Sequence, residues 1–505
     1  MNIAHWLERT ARVAGARPAL MHGDDLLADY ALFHARAAAL ATALIDRGLA
    51  KGDRVALCSA NTPDYLVAMF GVWIAGAAIV PINAKLHPKE VAFILQDSGA
   101  RHVFASKAHL PDLADDTALP VTALDGPDFT TMTSGPPAPI VARKLDDLAW
   151  LFYTSGTTGR PKGVQITHGM LAAASLCYPV DVDPVSQDDA ALYAAPMSHG
   201  AGLYAAIHVR IGARHIVPRS GGFDPDEILA LSAAHGPTSM FMAPTMLRRL
   251  TDAAKVRGAR GQGIKTIVYG GGPMYRADIE EAVNWFGPRF VQIYGQGECP
   301  MAITALSRAD IADRSHARWQ QRLASVGRAQ SAVTLAIVDE TGQPLPPGQT
   351  GEIMVRGTPV MPGYWNNPDA SAATLHDGWL KTGDLGHVDD DGYLTLVDRS
   401  KDVIISGGTN IYPREIEEVL LTHPSIHAVA VVGRPSPEWG EEVVAFIVPA
   451  PGAAPDPAIL DAHLLTELAR FKRPKAYIQI ADLPRNNYGK VLKTTLRDRL
   501  RADLR

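Results

Sequence analysis

The stretch Tyr153-Thr-Ser-Gly-Thr-Thr-Gly-Arg-Pro-Lys-Gly-Val164 follows the apolar run Leu148-Ala-Trp-Leu-Phe152. That order predicts a polar loop leaving the end of a buried strand. Gly156, Gly159 and Gly163 permit tight backbone geometry. Thr154, Ser155, Thr157 and Thr158 supply hydroxyls, and Lys162 adds a positive charge. A loop with these groups can wrap an oligophosphate in amide and hydroxyl donors. The Gly-x-x-x-x-Gly-Lys-Ser/Thr spacing of a Walker A loop is absent, and taken as composition alone such a cluster is most often a plain surface loop.

Bulk properties narrow the setting. At 505 residues, two or three domains are expected. With 48 Lys and Arg against 53 Asp and Glu the net charge is -5, and no extended basic run gives electrostatic support to nucleic-acid binding. Met1 to Arg12 lacks the apolar middle of a signal peptide, so a cytoplasmic location is expected. The longest apolar run, Val67 to Ile82, is broken by Gly71, Gly76 and Pro81 and reads as a buried helix running into a strand rather than a membrane span. Cys58, Cys177 and Cys299 have no metal-ligand spacing and are expected to be reduced, structural thiols.

Along the chain, helical and strand patterns alternate from Trp6 to Ala105, with strands at Arg54 to Ser59, Ala78 to Asn83 and His102 to Ala105. Asp112 to Lys144 is poor in pattern. The Tyr153 loop is expected to open a second α/β stretch, whose strands include Thr266 to Tyr269 and Phe290 to Tyr294. After Ser325 short strands and turns predict a β-rich subdomain. Beyond Asp398 to Asp402 follow a helix at Pro413 to Leu421, two strands, a helix at Ala458 to Arg470, a strand and a basic tail. The predicted class is α/β: a large N-terminal domain of two α/β sheet subdomains plus a β-rich one, and a small mobile α+β C-terminal domain.

The twelve-residue loop resembles the phosphate-binding signature of the adenylate-forming superfamily, which includes acyl- and aryl-CoA synthetases and peptide-synthetase adenylation domains. Further segments resemble that family's motifs in its order: Met197-Ser-His-Gly-Ala-Gly202, Tyr269-Gly-Gly-Gly-Pro273, Tyr294-Gly-Gln-Gly-Glu298, Thr382-Gly-Asp384, Asp398-Arg399 and Leu483-Pro-Arg-Asn-Asn-Tyr-Gly-Lys490. The resemblance covers about Trp6 to Leu496. It implies domains at 1–399 and 400–505, with a hinge near Lys401.

The resemblance also implies roles. Thr154, Ser155, Gly156, Thr157, Thr158, Gly159 and Lys162 would hold the ATP phosphates. Gly271, Gly272, Pro273, Tyr294, Gly295 and Gln296 would surround adenine, and Asp384 and Arg399 the ribose and α-phosphate. Glu298 would carry Mg²⁺ as a hard carboxylate ligand, and Lys490 would place a cation over the reacting carboxylate. Gly297 stands where the family usually has threonine, so one hydroxyl contact is missing. His199, Gly271, Ile293, Gly295 and Met301 would surround the acyl group. Related malonyl-CoA synthetases have an arginine at the Ile293 position, so an apolar monocarboxylic acid, aromatic or short-to-medium aliphatic, is expected.

For the thiol, Lys85, Gly407, Gly408, Trp439, Phe471, Arg473 and Lys475 match the CoA-contacting positions of the 4-chlorobenzoate:CoA ligase branch. The implied function is an AMP-forming acid:CoA ligase using ATP, Mg²⁺ and CoA. Two alternatives stay open: an adenylating enzyme that loads a carrier protein, and a non-catalytic nucleotide- or acyl-binding relative. Oligomeric state is open too, with a homodimer as one option.

Overall fold

Pro63 begins a helix, Pro63–Ile74, in which every residue but Asp64 is buried. A helix apolar on all sides must be enclosed, and this one touches strands of both large sheets as well as the helix Tyr30–Asp46. Phe70 meets Phe33 edge-on at 5.5 Å and Trp73 at 5.0 Å between ring centroids. The Trp73 indole N–H donates to the Ala149 carbonyl at 2.8 Å, tying the helix to the strand that feeds the Tyr153 loop. Truncating such an aromatic to alanine costs about 3–5 kcal/mol.

The computed structural model describes residues 1–109, 118–154, 161–407, 409–486 and 490–502. A six-stranded sheet runs in the order Val121–Ala123, His102–Ala105, Arg54–Cys58, Ala78–Ile82, Leu148–Thr154, Lys162–Thr167, parallel except for the last strand. A nine-stranded sheet has a parallel centre from Phe290–Gln296 to Pro18–His22 and antiparallel strands at both edges. Antiparallel strands from Val333–Val338 to Leu394–Arg399 make a five-stranded β unit. The small C-terminal domain is another five-stranded sheet, built on the long hairpin Ile426–Ser436 and Gly440–Pro449, with helices Pro413–Leu420 and Pro457–Leu465 on one side and Lys493–Ala502 on the other. The two-part α/β architecture is as expected, and no helix among the described residues is long and apolar enough to cross a membrane.

The structure differs from the sequence reading at several points. The Tyr153 loop does not open the second sheet: Thr154 pairs with Lys162, so the strands on either side of it pair with each other at the edge of the first sheet. Conversely, Pro18–His22 and Asp25–Asp29, early in the chain, complete the second sheet, because sequence order does not fix spatial order in a parallel sheet. The weakly patterned segment contains the strand Val121–Ala123 and the helix Pro127–Met132. The helix predicted to reach Arg470 ends at Leu465, and the basic tail forms the helix Lys493–Ala502.

Gly327 joins the nine-stranded sheet to the β unit. The Leu394 amide donates to its carbonyl, and Val326 donates to Leu394 in return, each at 2.8 Å. Gly327 holds φ at +85°, and an added Cβ would lie 2.0 Å from the Ala305 carbonyl oxygen. Backbone cannot yield there as a flexible side chain would. Gly327→Ala is therefore expected to cost about 2–4 kcal/mol, seen as a drop of several degrees in the thermal unfolding midpoint; an unchanged midpoint would contradict this packing.

Candidate functional site

The hairpin delivers Thr154 and Lys162 to the same end of the first sheet. Ser155, Gly156, Thr157, Thr158 and Gly159, which carry most of the predicted phosphate contacts, lie outside the described residues, as does Gly408. The Lys162 ammonium lies 5.1 Å from the ring centroid of Tyr364. The Tyr364 hydroxyl donates to Glu298 Oε1 at 2.6 Å, and the Met361 amide donates to the Glu298 carbonyl at 2.8 Å. Burial, and then the Glu298 carboxylate, keep the Tyr364 phenol protonated by raising its pKa. Among the described residues no group of three His, Cys, Asp or Glu could hold a metal by itself. A divalent cation at Glu298 would need oxygens from a phosphate ligand and water, which is how Mg²⁺ is usually held.

A second constellation forms where the strand Phe290–Gln296 meets Trp379–Val388. Asp384, 7% exposed, accepts from the Tyr294 hydroxyl and from Gln296 Nε2, both at 2.6 Å on Oδ2. Its Oδ1 lies 3.3 Å from Arg399 Nε, because Asp384 and Arg399 are paired residues on adjacent strands. Asp384 is thereby held by three donors, and a carboxylate with about four acceptor directions retains capacity for a hydroxyl ligand. Gly271, Gly272 and Pro273 follow the neighbouring strand Ile264–Tyr269.

Ile293 and Met301 belong to one apolar cluster with Tyr204 and Phe241 packed into it. Phe241 borders Gly200 and Gly271, and a Cβ on Gly200 would also meet the Met301 methyl at 3.2 Å. Met301 has φ of +61°, an uncommon conformation for a residue with a side chain. Its carbonyl accepts from Gln330 Nε2 at 2.8 Å, and Gly295 packs against its amide. His199 is half-buried beside this cluster, bonded to the Ser198 hydroxyl at 2.9 Å and edge-on to Phe152 at 5.0 Å. Burial pulls its pKa down to about 3, so His199 is a neutral wall near pH 7. The Tyr204 hydroxyl is buried without a hydrogen-bond partner among the described residues.

The glycine at 297 has a physical reason. A Cβ there would lie 2.7 Å from Thr154 Cγ2 and 3.0 Å from the Phe152 ring. Phe152 and Thr154 therefore occupy the space that a threonine at 297 would need. The missing hydroxyl reflects a different packing of this wall, in which Phe152 fills the gap and braces His199.

Lys490 comes from the small domain, yet the charged groups around its ammonium include Asp384 and Arg399 of the large domain, together with Lys401 and Asp402. Burial, then the Arg399 guanidinium and Lys401, pull its pKa down to about 8, against the attraction of Asp384. Burial and Arg399 likewise lower Lys401. Lys490, Arg399 and Lys401 stand against the two carboxylates Asp384 and Asp402, which leaves local positive potential, suited to an anion.

Of the residues expected at CoA, Gly407, Trp439 and Lys475 come together. The Gly407 amide donates to the Trp439 carbonyl at 2.8 Å, and the Lys475 ammonium lies 6.0 Å from the Trp439 ring centroid. Trp439 and Phe471 are exposed. Arg473 is held by Asp461 at 2.9 Å, so meeting a phosphate would mean exchanging that partner. Lys85 lies on the large domain, just after the strand Ala78–Ile82. A cleft of about 570 Å³ at the domain seam, between Arg248, Trp285 and His427, is lined by none of these residues.

Sequence reasoning missed Tyr364, Phe152 and Phe241. Phe152 abuts the quoted loop, but Tyr364 and Phe241 reach the site from distant strands and turns, with no local motif as a signal.

Comparison with known proteins agrees with this geometry. Residues 7–365 match the family model "AMP-binding enzyme" and residues 415–490 match "AMP-binding enzyme C-terminal domain". The chain is 37% identical over 498 residues to a feruloyl-CoA synthase of Amycolatopsis sp, covering 99% of both chains. It is 35% identical to the fatty acid–[acyl-carrier-protein] ligase ScoC of Streptomyces coeruleorubidus, over 94% of this chain and 92% of that one. The crystal structure of ATP-bound MatB from Rhodopseudomonas palustris superposes with a TM-score of 0.89 at 32% identity, covering all of both chains. The chain belongs to the AMP-binding enzymes of the adenylate-forming superfamily, among its acid–CoA ligases.

Proposed function

We propose that this chain activates an apolar monocarboxylic acid with Mg-ATP and transfers the acyl group to CoA. The observation that carries the reading is the seating of Lys490, from the small domain, beside Asp384 and Arg399 of the large one. A carboxylate attacking an α-phosphate brings two anions together, so catalysis is mainly charge neutralisation and positioning. In the first step a substrate carboxylate oxygen bonds to the α-phosphorus as the bond to the pyrophosphate oxygen breaks, and pyrophosphate leaves with the electron pair. Lys490 neutralises the reacting oxygens, while Thr154, Lys162 and the hairpin tip hold the departing phosphates. Mg²⁺, when bound at Glu298, would add Lewis-acid stabilisation of those oxygens.

In the second step the CoA sulfur attacks the acyl carbonyl, AMP leaves, and the thiol proton passes to solvent. Movement of residues 400–505 about a hinge near Lys401 would withdraw Lys490 and bring Gly407, Gly408, Trp439, Phe471 and Lys475 to the thiol, with Lys85 and, on exchange of its Asp461 partner, Arg473 meeting its phosphates. The cluster of Ile293, Met301, Phe241 and Tyr204 presents apolar and aromatic side chains, which favours aromatic or short-to-medium aliphatic acids without a second carboxylate. The similarity to a carrier-protein ligase keeps one rival acceptor in play. AMP release across an acid panel, with CoA or an acyl-carrier protein, is expected to depend on CoA; dependence on the carrier alone would reassign the acceptor.

Three predictions follow from this chemistry. Lys490→Ala should lower acyl-adenylate formation by about 10²–10³-fold while sparing thioester formation from supplied acyl-AMP, read by separate half-reaction assays; equal losses in both would refute the division of labour. The free Lys490 ammonium is charged below its pKa of about 8 and loses its proton above it. So kcat/KM for adenylation should fall as pH rises through about 8, and a flat profile to pH 9.5 would exclude this cation. Gly297→Thr should reduce activity about tenfold or more through displacement of Phe152 and Thr154, and Phe152→Val should restore much of it. Failure of the second change to rescue the first would contradict the packing at this wall.

A further inference from the structure

Besides the bond from Arg248 to the His427 carbonyl at 3.2 Å, the domain seam is fastened by a short segment that begins where the glycine-rich Gly270-Gly-Gly-Pro273 turn ends. The Met274 carbonyl accepts from Arg414 Nη2 at 3.4 Å, the Tyr275 hydroxyl donates to Glu417 Oε2 at 3.2 Å, and the Arg276 amide donates to Glu418 Oε2 at 3.3 Å. All three partners lie on the helix Pro413–Leu420 of the small domain. Glu417 is 4% exposed. Its other oxygen accepts from the Val431 amide and pairs with the Lys493 ammonium, each at 2.8 Å. Lys493 opens the helix that follows the Lys490 turn, three residues along the chain from Lys490.

We infer that Tyr275 is a positioning residue, which through Glu417 and Lys493 sets Lys490 beside Asp384 and Arg399 and so couples the nucleotide-facing turn to docking of the small domain. The inference rests on the proposed adenylation chemistry. The physical logic is directional. Glu417, Val431 and Lys493 all belong to the small domain and would move together, whereas the Tyr275 bond exists only while that domain is docked in this pose. A nucleotide pressing on Gly271 to Pro273 acts on residues directly joined to Met274, Tyr275 and Arg276. Contacts of the nucleotide and contacts of the domain therefore share one backbone segment. Breaking the Tyr275 bond leaves a buried carboxylate oxygen short of a donor in the docked pose alone, which biases the domain away from adenylation and leaves the second half-reaction unharmed.

Tyr275→Phe keeps the ring and removes only the hydroxyl. With full-length protein, it should lower kcat for acyl-adenylate formation about tenfold, with KM for ATP changed less than kcat, and thioester formation from supplied acyl-AMP and CoA unchanged. Glu418→Ala, which removes the acceptor of the Arg276 amide, should shift the two half-reactions in the same direction. Limited trypsin digestion of the Arg399 to Lys401 region reads docking without turnover, and Tyr275→Phe should be cut several-fold faster there. Equal loss in both half-reactions, or no loss in either, would overturn the inference. If the wild type adenylates no acid, the ligase reading fails separately, and digestion alone decides: faster cleavage in Tyr275→Phe upholds the docking role and equal cleavage ends it.

Discussion

A cation carried by one domain must stand beside a carboxylate and an arginine carried by another, and much of the remaining architecture serves that placement. Lys490 is surrounded by Arg399, Lys401, Asp384 and Asp402. Its ammonium is stabilised by the two acids and opposed by burial and the two bases. The balance lowers its pKa to about 8, and an entering anion would favour the cation. Such a group responds to substrate charge more than a solvated lysine does.

The large domain supplies a fixed frame for that exchange. The buried helix Pro63–Ile74 ties the two sheets together, and Trp73 anchors the strand that ends at Thr154. Strand pairing then sets Asp384 opposite Arg399, and Tyr294 and Gln296 hold the Asp384 carboxylate from a different sheet. Side chains of both large sheets and the β unit meet here, Thr154 against Gly297 and Asp384 against Tyr294, and the carboxyl ends of parallel strands are where α/β folds place ligands. The small domain meets the large one through polar contacts such as Tyr275 with Glu417, Arg276 with Glu418 and Arg248 with His427, of a kind that the proposed domain movement could exchange.

Much of this was legible in the chain. The strand His102–Ala105 and the helix Arg276–Phe286 coincide closely with their sequence patterns, because alternation and helical periodicity are local signals. The motif order led to Glu298, Asp384, Arg399 and Lys490. Less legible was whatever depends on contact across distance. The helix Lys493–Ala502 was hidden by its basic composition, since only Leu496 and Leu500 are buried core residues of it. The pair Thr154 and Lys162 looked like a gateway between sheets because only the first flank, Leu148 to Phe152, read as a strand, whereas Lys162–Thr167 pairs back onto it. Tyr364 and Phe241 carry no motif, and the fit of Phe152 beside Gly297 emerges only from three-dimensional packing.

The central claim is that the acid passes through an acyl-adenylate, and the most direct measurement follows the acid's own oxygen. Substrate labelled with ¹⁸O in its carboxylate would be turned over with Mg-ATP and CoA, and the products examined by mass spectrometry. Attack on the α-phosphorus leaves one acid oxygen bridging carbon and phosphorus, and the thiol then breaks the carbon–oxygen bond. AMP should therefore carry one labelled oxygen. Label in pyrophosphate or inorganic phosphate, with unlabelled AMP, would contradict the account.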